Sequence, residues 1–310
     1  MLVIDEQELL QQVEKHKNVC EITVQAPEGL KRRALEIAGF LENEGYTVFI
    51  SADPCYGACD LKVYGDLLIH VGHTEIYPPQ IPAIFVNVYD DYDFIPVLKK
   101  TLHVIPRTVG LLTTAQHRQQ LPNVFSFLEE NGIQPVLGRG VRTQFEGQIL
   151  GCDLTAAVCI QDKVEAFLYL GTGVFHPLGA ALATRKNVFC VYNQVEKVDP
   201  QKLLRKRHAL IFAASLGHTF GIIMSTKRGQ LRKKEALKIR EYLKKKGKTT
   251  YMFIADEIRP EILYGCDAYV ICACPRIALD DALKFDNPVL TCKEVELMFE
   301  EKEYEMDMIV

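Results

Sequence analysis

Short apolar runs rich in β-branched residues recur along the chain in three sets of four, and this recurrence limits the possible folds more than any other feature. The first set is Ile22–Gln25, Thr47–Ile50, Leu67–His70 and Ala83–Val86. The second is Val109–Leu112, Pro135–Leu137, Phe167–Leu170 and Val188–Val191. The third is Gly221–Met224, Tyr251–Ile254, Tyr269–Cys272 and Pro288–Leu290. Runs of this length and composition read as buried strands, and the amphipathic segments between them as helices. After the first strand of each set comes a stretch with apolar residues at helical spacing that stops at glycine: LKRRALEIAGFLENEG from Leu30, LPNVFSFLEENG from Leu121 and LRKKEALKIREYLKKKG from Leu231. Strand, helix, glycine, strand, repeated three times, predicts an α/β protein of three related domains. Each is a small parallel sheet flanked by helices, and the three are arranged with approximate threefold pseudosymmetry. Each repeat has an ordinary domain size, which puts the expected domains at 1–105, 106–214 and 215–310.

Parallel sheets present ligands at the carboxyl ends of their strands. Three such domains around one axis can aim three loops at a single point, and a site there takes one ligand from each. The rest of the composition is that of a soluble protein, with 48% hydrophobic and 25% charged residues. No apolar stretch approaches the roughly 20 residues that span a bilayer. The start, MLVIDEQELLQQVEKHKN, is acidic and lacks a long apolar core, so no secretory leader, no membrane partner and a cytoplasmic location are expected. A net charge of −4 argues against a general nucleic-acid binder. The basic runs RKRH from Arg205 and KKKGK from Lys244 read as solvated helix ends.

Ten cysteines are many for a cytoplasmic chain, and a reducing compartment disfavours a disulfide framework. Cys20, Cys190 and Cys292 adjoin apolar strands and read as buried small residues, as do Cys159 and Cys266 less firmly. The others cluster at loops: Cys55 and Cys59 after the second strand of set one, Cys152 after the second of set two, and Cys272 with Cys274 at the end of the third strand of set three. Prolines and glycines surround these thiols, which core packing does not explain. Structural zinc sites and thioredoxin-like redox pairs favour C-x2-C, which is absent, although Cys55/Cys59 and Cys272/Cys274 could together supply four thiolates. An iron–sulfur cluster needs no fixed local spacing. Three thiolates, one per domain, hold three irons and leave a fourth open for a substrate.

At these residues the chain resembles the diphthamide-synthesis enzymes, the 2-(3-amino-3-carboxypropyl)histidine synthases, and the single-subunit archaeal type in particular. PCYGACD around Cys59, GQILGC ending at Cys152 and CPRIALDD from Cys274 are similar to the family's three cysteine motifs. APEGLKRRALEIAGFLE from Ala26 and TKRGQLRKK from Thr226 also look like family sequence. The resemblance implies that Cys59, Cys152 and Cys274 hold a [4Fe–4S] cluster with one open iron, while Cys55 and Cys272 do not ligate. It also implies a non-conventional use of S-adenosylmethionine, since the C-x3-C-x2-C loop of ordinary radical enzymes is missing. The bond to the aminocarboxypropyl carbon is cleaved, methylthioadenosine leaves, and the 3-amino-3-carboxypropyl radical adds to C2 of a histidine in translation elongation factor 2. An electron donor of unstated identity and a homodimer come with the family.

Candidate cofactor-binding residues follow from position. Arg276 and Asp280 lie just after Cys274, and Gln230 lies in the loop after the first strand of set three. His176, in GTGVFHPLG, lies at a strand end of set two. An arginine can pair bidentately with the methionine carboxylate, and the competing role for Arg276 and Asp280 is a surface ion pair. His70 and His73 are weaker candidates. Quinolinate synthase, which shares three related α/β domains and a three-cysteine cluster, is the alternative enzyme, and a zinc or iron–sulfur scaffold or sensor is the non-enzyme alternative.

Overall fold

The structure is a computed structural model and describes residues 6–310. The first unit runs α1 (Glu6–Glu14), β1 (Glu21–Gln25), α2 (Lys31–Asn43), β2 (Thr47–Ile50), β3 (Leu67–Val71) and β4 (Ala83–Val86). The second runs α3 (Ile95–Thr101), β5 (Thr108–Thr113), α4 (Leu121–Glu130), β6 (Gln134–Val136), α5 (Thr155–Val158), β7 (Ala166–Leu170), α6 (Phe175–Thr184), β8 (Asn187–Val191) and β9 (Val195–Lys197). The third runs α7 (Gln201–Ser215), β10 (Thr219–Ser225), α8 (Lys233–Lys245), β11 (Thr249–Ala255), β12 (Ala268–Cys272), α9 (Pro275–Asp280) and β13 (Val289–Thr291).

The three sheets share one topology. Their orders are β2-β1-β3-β4, β6-β5-β7-β8-β9 and β11-β10-β12-β13, so the second strand of each set lies outside the first and the third and fourth follow on the other side. All pairings are parallel except β8 with β9. The expected α/β architecture of three helix-flanked parallel sheets is therefore present. Gly45, Gly132 and Gly247, which follow α2, α4 and α8, all have positive φ, a conformation that costs glycine nothing and stops each helix at the same point of the repeat.

Alternation along the central strands assigns the two faces of each sheet. In the first unit Ile22, Val24, Leu67 and Ile69 pack with Leu9 and Val13 of α1 and Ile37 and Leu41 of α2. The opposite face carries buried polar residues, Thr23, Gln25 and His70. Both faces of the second sheet are apolar. Leu111 and Leu168 pack under α4, with Phe94 and Leu98 from the start of α3, and Phe167 and Tyr169 pack under α5 and α6. The third sheet is likewise covered on both faces.

Three expectations are corrected. The RKRH run is not a solvated end throughout: Arg207, in the middle of α7, is fully buried. Its Nε and Nη2 donate to Glu294 at 2.7 and 2.6 Å, and its remaining donors reach the Ala278 and Val289 carbonyls. Cys20 is exposed, because it precedes β1 at the amino end of the sheet, where its amide donates to Asp66. Cys159 is exposed as well, and Cys266 is buried. Among the described residues, no helix is long and apolar enough to cross a membrane.

Candidate metal-cluster site

Each sheet delivers one cysteine to a common space through the chain leaving its carboxyl edge. Cys59 lies between β2 and β3, Cys152 between β6 and α5, and Cys274 directly after β12, where it caps α9. Burial pushes the Cys274 thiol up to about 12, and negative charge at Cys152 and at Cys59 adds to the rise. Burial pushes Cys152 up to about 11; Arg142 opposes that shift and Cys59 adds to it. Burial raises Cys59 too. These sulfurs, far apart in sequence, are close enough for the charge on one to be felt by another.

The spacing says what they can hold. The three thiols do not close to within 4.8 Å of one another, since the one described trio of ligating side chains that does is Cys55, His70 and His73. A single zinc with bonds of about 2.3 Å draws two thiolates to about 3.8 Å. A wider triad of half-buried thiols whose charges act on one another suits a polynuclear cage, and an all-thiolate donor set is what iron–sulfur clusters take. The residues present fit a [4Fe–4S] group.

The surroundings are built from all three units. Gln230 Nε2 donates to Cys59 Sγ at 3.2 Å, and the Gly229 amide donates to the Cys59 carbonyl at 3.1 Å. A Cβ at position 229 would stand 2.6 Å from Cys59 Cα, so only glycine permits this approach. Arg142 joins the units: its Nη2 donates to the Gly229 carbonyl at 2.9 Å, and its Nη1 lies 3.7 Å from Cys152 Sγ. Behind Cys59, buried Lys227 pairs with Asp60 at 2.7 Å and also with Glu257.

The candidates named from sequence fall at different distances from this centre. Gln230 touches a thiol. The Arg276 amide donates to Cys274, and the Arg276 guanidinium lies over the Phe175 ring at 3.9 Å. Arg276 Nε donates to Asp280 at 2.8 Å, so the two form an i,i+4 ion pair and Asp280 meets the site only through its partner. His176, next to Phe175, stacks on Tyr169 with ring centroids 6.0 Å apart, and burial, reinforced by Arg276, lowers it to about 4, which keeps it neutral. Cys272 is turned away: its sulfur meets Cys292 Sγ at 3.4 Å, and both lie in the third unit's core. Arg142 was missed. It stands ten residues before Cys152 in a glycine-containing loop, GRGVR, and the two arginines there were the available signal.

A family model described as "Putative diphthamide synthesis protein" matches residues 26–309. A protein of Pyrococcus horikoshii called 2-(3-amino-3-carboxypropyl)histidine synthase is 39% identical over 99% of this chain and 94% of its own length. One of the same name from Methanocaldococcus jannaschii is 28% identical over 99% of this chain and 93% of its own. The crystal structure of Dph2 from Pyrococcus horikoshii with a 4Fe-4S cluster superposes with a TM-score of 0.94, at 38% identity, covering 100% of this chain and 95% of that one.

Proposed function

The chain belongs to the diphthamide synthesis family, and on that premise we propose that it is a 2-(3-amino-3-carboxypropyl)histidine synthase. In this reading it transfers the 3-amino-3-carboxypropyl group of S-adenosylmethionine to C2 of a histidine imidazole in elongation factor 2, with methylthioadenosine as the leaving product. The observation that carries the proposal is the half-buried triad of Cys59, Cys152 and Cys274, one thiol from each sheet, close enough that the charge on one is felt by the others. A [4Fe–4S] cluster held by these three supplies an electron and one iron free of protein ligands.

The chain's own residues do the positioning. Gln230 donates to the Cys59 sulfur and stabilises its thiolate form. Arg142 offsets negative charge on two of the three thiolates. Arg276, held by Asp280 and spread over Phe175, offers a guanidinium beside Cys274 for the substrate carboxylate. Neutral His176 presents an aromatic wall without added positive charge next to a sulfonium. Orientation then decides which of the three carbon–sulfur bonds breaks. An external one-electron donor and a homodimeric assembly belong to the same proposal.

Anaerobic reconstitution with iron and sulfide, followed by reduction and incubation with S-adenosylmethionine and elongation factor 2, tests it. Methylthioadenosine should be released, and mass spectrometry should find the aminocarboxypropyl addition on one histidine. Alanine at Cys59, Cys152 or Cys274 should each lower iron loading severely, and Cys272→Ala should retain it. Release of 5′-deoxyadenosine instead would overturn the bond assignment.

A further inference from the structure

We propose that Cys55, His70 and His73 form a second metal site, for a single zinc-class divalent cation, distinct from the three-cysteine centre. One ligand atom of each lies within 4.8 Å of the others. Cys55 and His70 are buried and His73 half-buried. Strand alternation creates the site: the core takes Val24 of β1 and Ile69 of β3, so Gln25 and His70 project from the opposite face.

Hydrogen bonds fix which atoms are available. Gln25 Nε2 donates to the Asp60 carbonyl at 2.8 Å, and its Oε1 accepts from the Lys62 amide at 3.3 Å. The same Oε1 meets His70 Nδ1 at 3.1 Å, so that nitrogen carries the ring proton and Nε2 keeps its lone pair. His70 Nε2 lies 3.1 Å from His73 Nδ1. Two imidazole nitrogens on a tetrahedral zinc, with bonds of about 2.0–2.1 Å, stand about 3.3 Å apart, a few tenths of an ångström wider than this contact. An imidazole held by a side-chain oxygen on its other nitrogen is the usual arrangement of a metal-bound histidine. Burial pushes the Cys55 thiol up to about 11, so the metal-free side chain is a thiol, and the Gly57 amide that donates to Sγ opposes that rise.

In the metal-free chain the His73 Nδ1–H donates to His70 Nε2. On binding, the Cys55 thiol proton leaves to solvent and the His73 ring proton moves from Nδ1 to Nε2, which frees Nδ1 to ligate. One thiolate and two imidazoles select zinc over calcium or magnesium, and a fourth position is left for water. Cys55 precedes Cys59 by four residues, so the ion ties the segment carrying Cys59 to β3.

X-ray absorption at the zinc edge of the full-length protein, prepared anaerobically with added zinc sulfate, tests this and is blind to iron. The expected shell has one sulfur and two imidazole nitrogens, with one zinc per chain. Cys55→Ser should remove the sulfur scatterer, and His73→Gln, at a half-buried position, should weaken retention against a chelator at least about tenfold. A shell of several sulfurs that persists in Cys55→Ser, or zinc retention unchanged in both variants, would overturn the proposal. Iron and sulfide measured on the same samples report the fate of the three-cysteine centre separately.

Discussion

Burial raises the proton affinity of Cys59, Cys152 and Cys274, and in the proposed function this controls when they can hold metal. All three are raised, Cys274 to about 12 and Cys152 to about 11, so in the metal-free chain they are thiols at neutral pH. Loading must expel those protons, and raising the pH toward the thiol range favours the metal-bound form. Iron incorporation at fixed iron and sulfide should therefore increase steadily from pH 6.5 to 9, by up to about tenfold in affinity per pH unit for each proton released. A flat profile in an anaerobic titration would contradict thiol ligation. Gly229 makes a second residue-scale case. Gly229→Ala puts a methyl 2.6 Å from Cys59 Cα and 2.9 Å from its carbonyl oxygen. The backbone has to move, at a cost of about 1–3 kcal/mol, and iron loading should fall with it. Thermal unfolding and iron content of the same sample would check both.

At the scale of elements, α7 is the case where charge and position disagree most. A helix carrying RKRH looks solvated, yet Arg207 is the largest fully buried side chain. Its charge is tolerable because Glu294 meets it at two oxygens, and Tyr304 donates to the same carboxylate at 3.0 Å. Removing one partner leaves an uncompensated charge in the core. Glu294→Ala should therefore cost about 3–5 kcal/mol, and pairing it with Arg207→Met should recover part of that loss. Urea unfolding midpoints of the single and double variants would show the non-additivity. The ion pair also locks α7 to the chain leaving β13, and so to the sheet that carries Cys274.

Across the whole molecule, the C-terminal segment binds the second and third units together. Asp307 accepts two hydrogen bonds from Arg232, both 2.9 Å, and one from the Cys292 amide, while the Ile309 amide donates to the Cys152 carbonyl at 2.8 Å. Asp307→Ala should free that segment, speed hydrogen exchange at Ile309 and lower iron loading, with far-UV circular dichroism unchanged. The three-sheet plan was legible in the sequence because the central strands are short, mostly apolar and β-branched runs and each first helix ends at a glycine in the left-handed region. β9 was not, since Val195–Lys197 is short, polar and antiparallel at a sheet edge, where no burial pattern develops. At the site, the loop cysteines could be singled out by their strand-end positions, and the choice of Cys274 over Cys272 came from the family motif. Arg142 and the burial of Arg207 depend on partners about 90 residues away, which local spacing does not encode. A centre assembled from three sheets also has a timetable. Residue 59 leaves the ribosome long before residue 274, so on the proposed ligand set a half-made chain has no complete grip to offer, and iron would be seated only once synthesis is nearly finished.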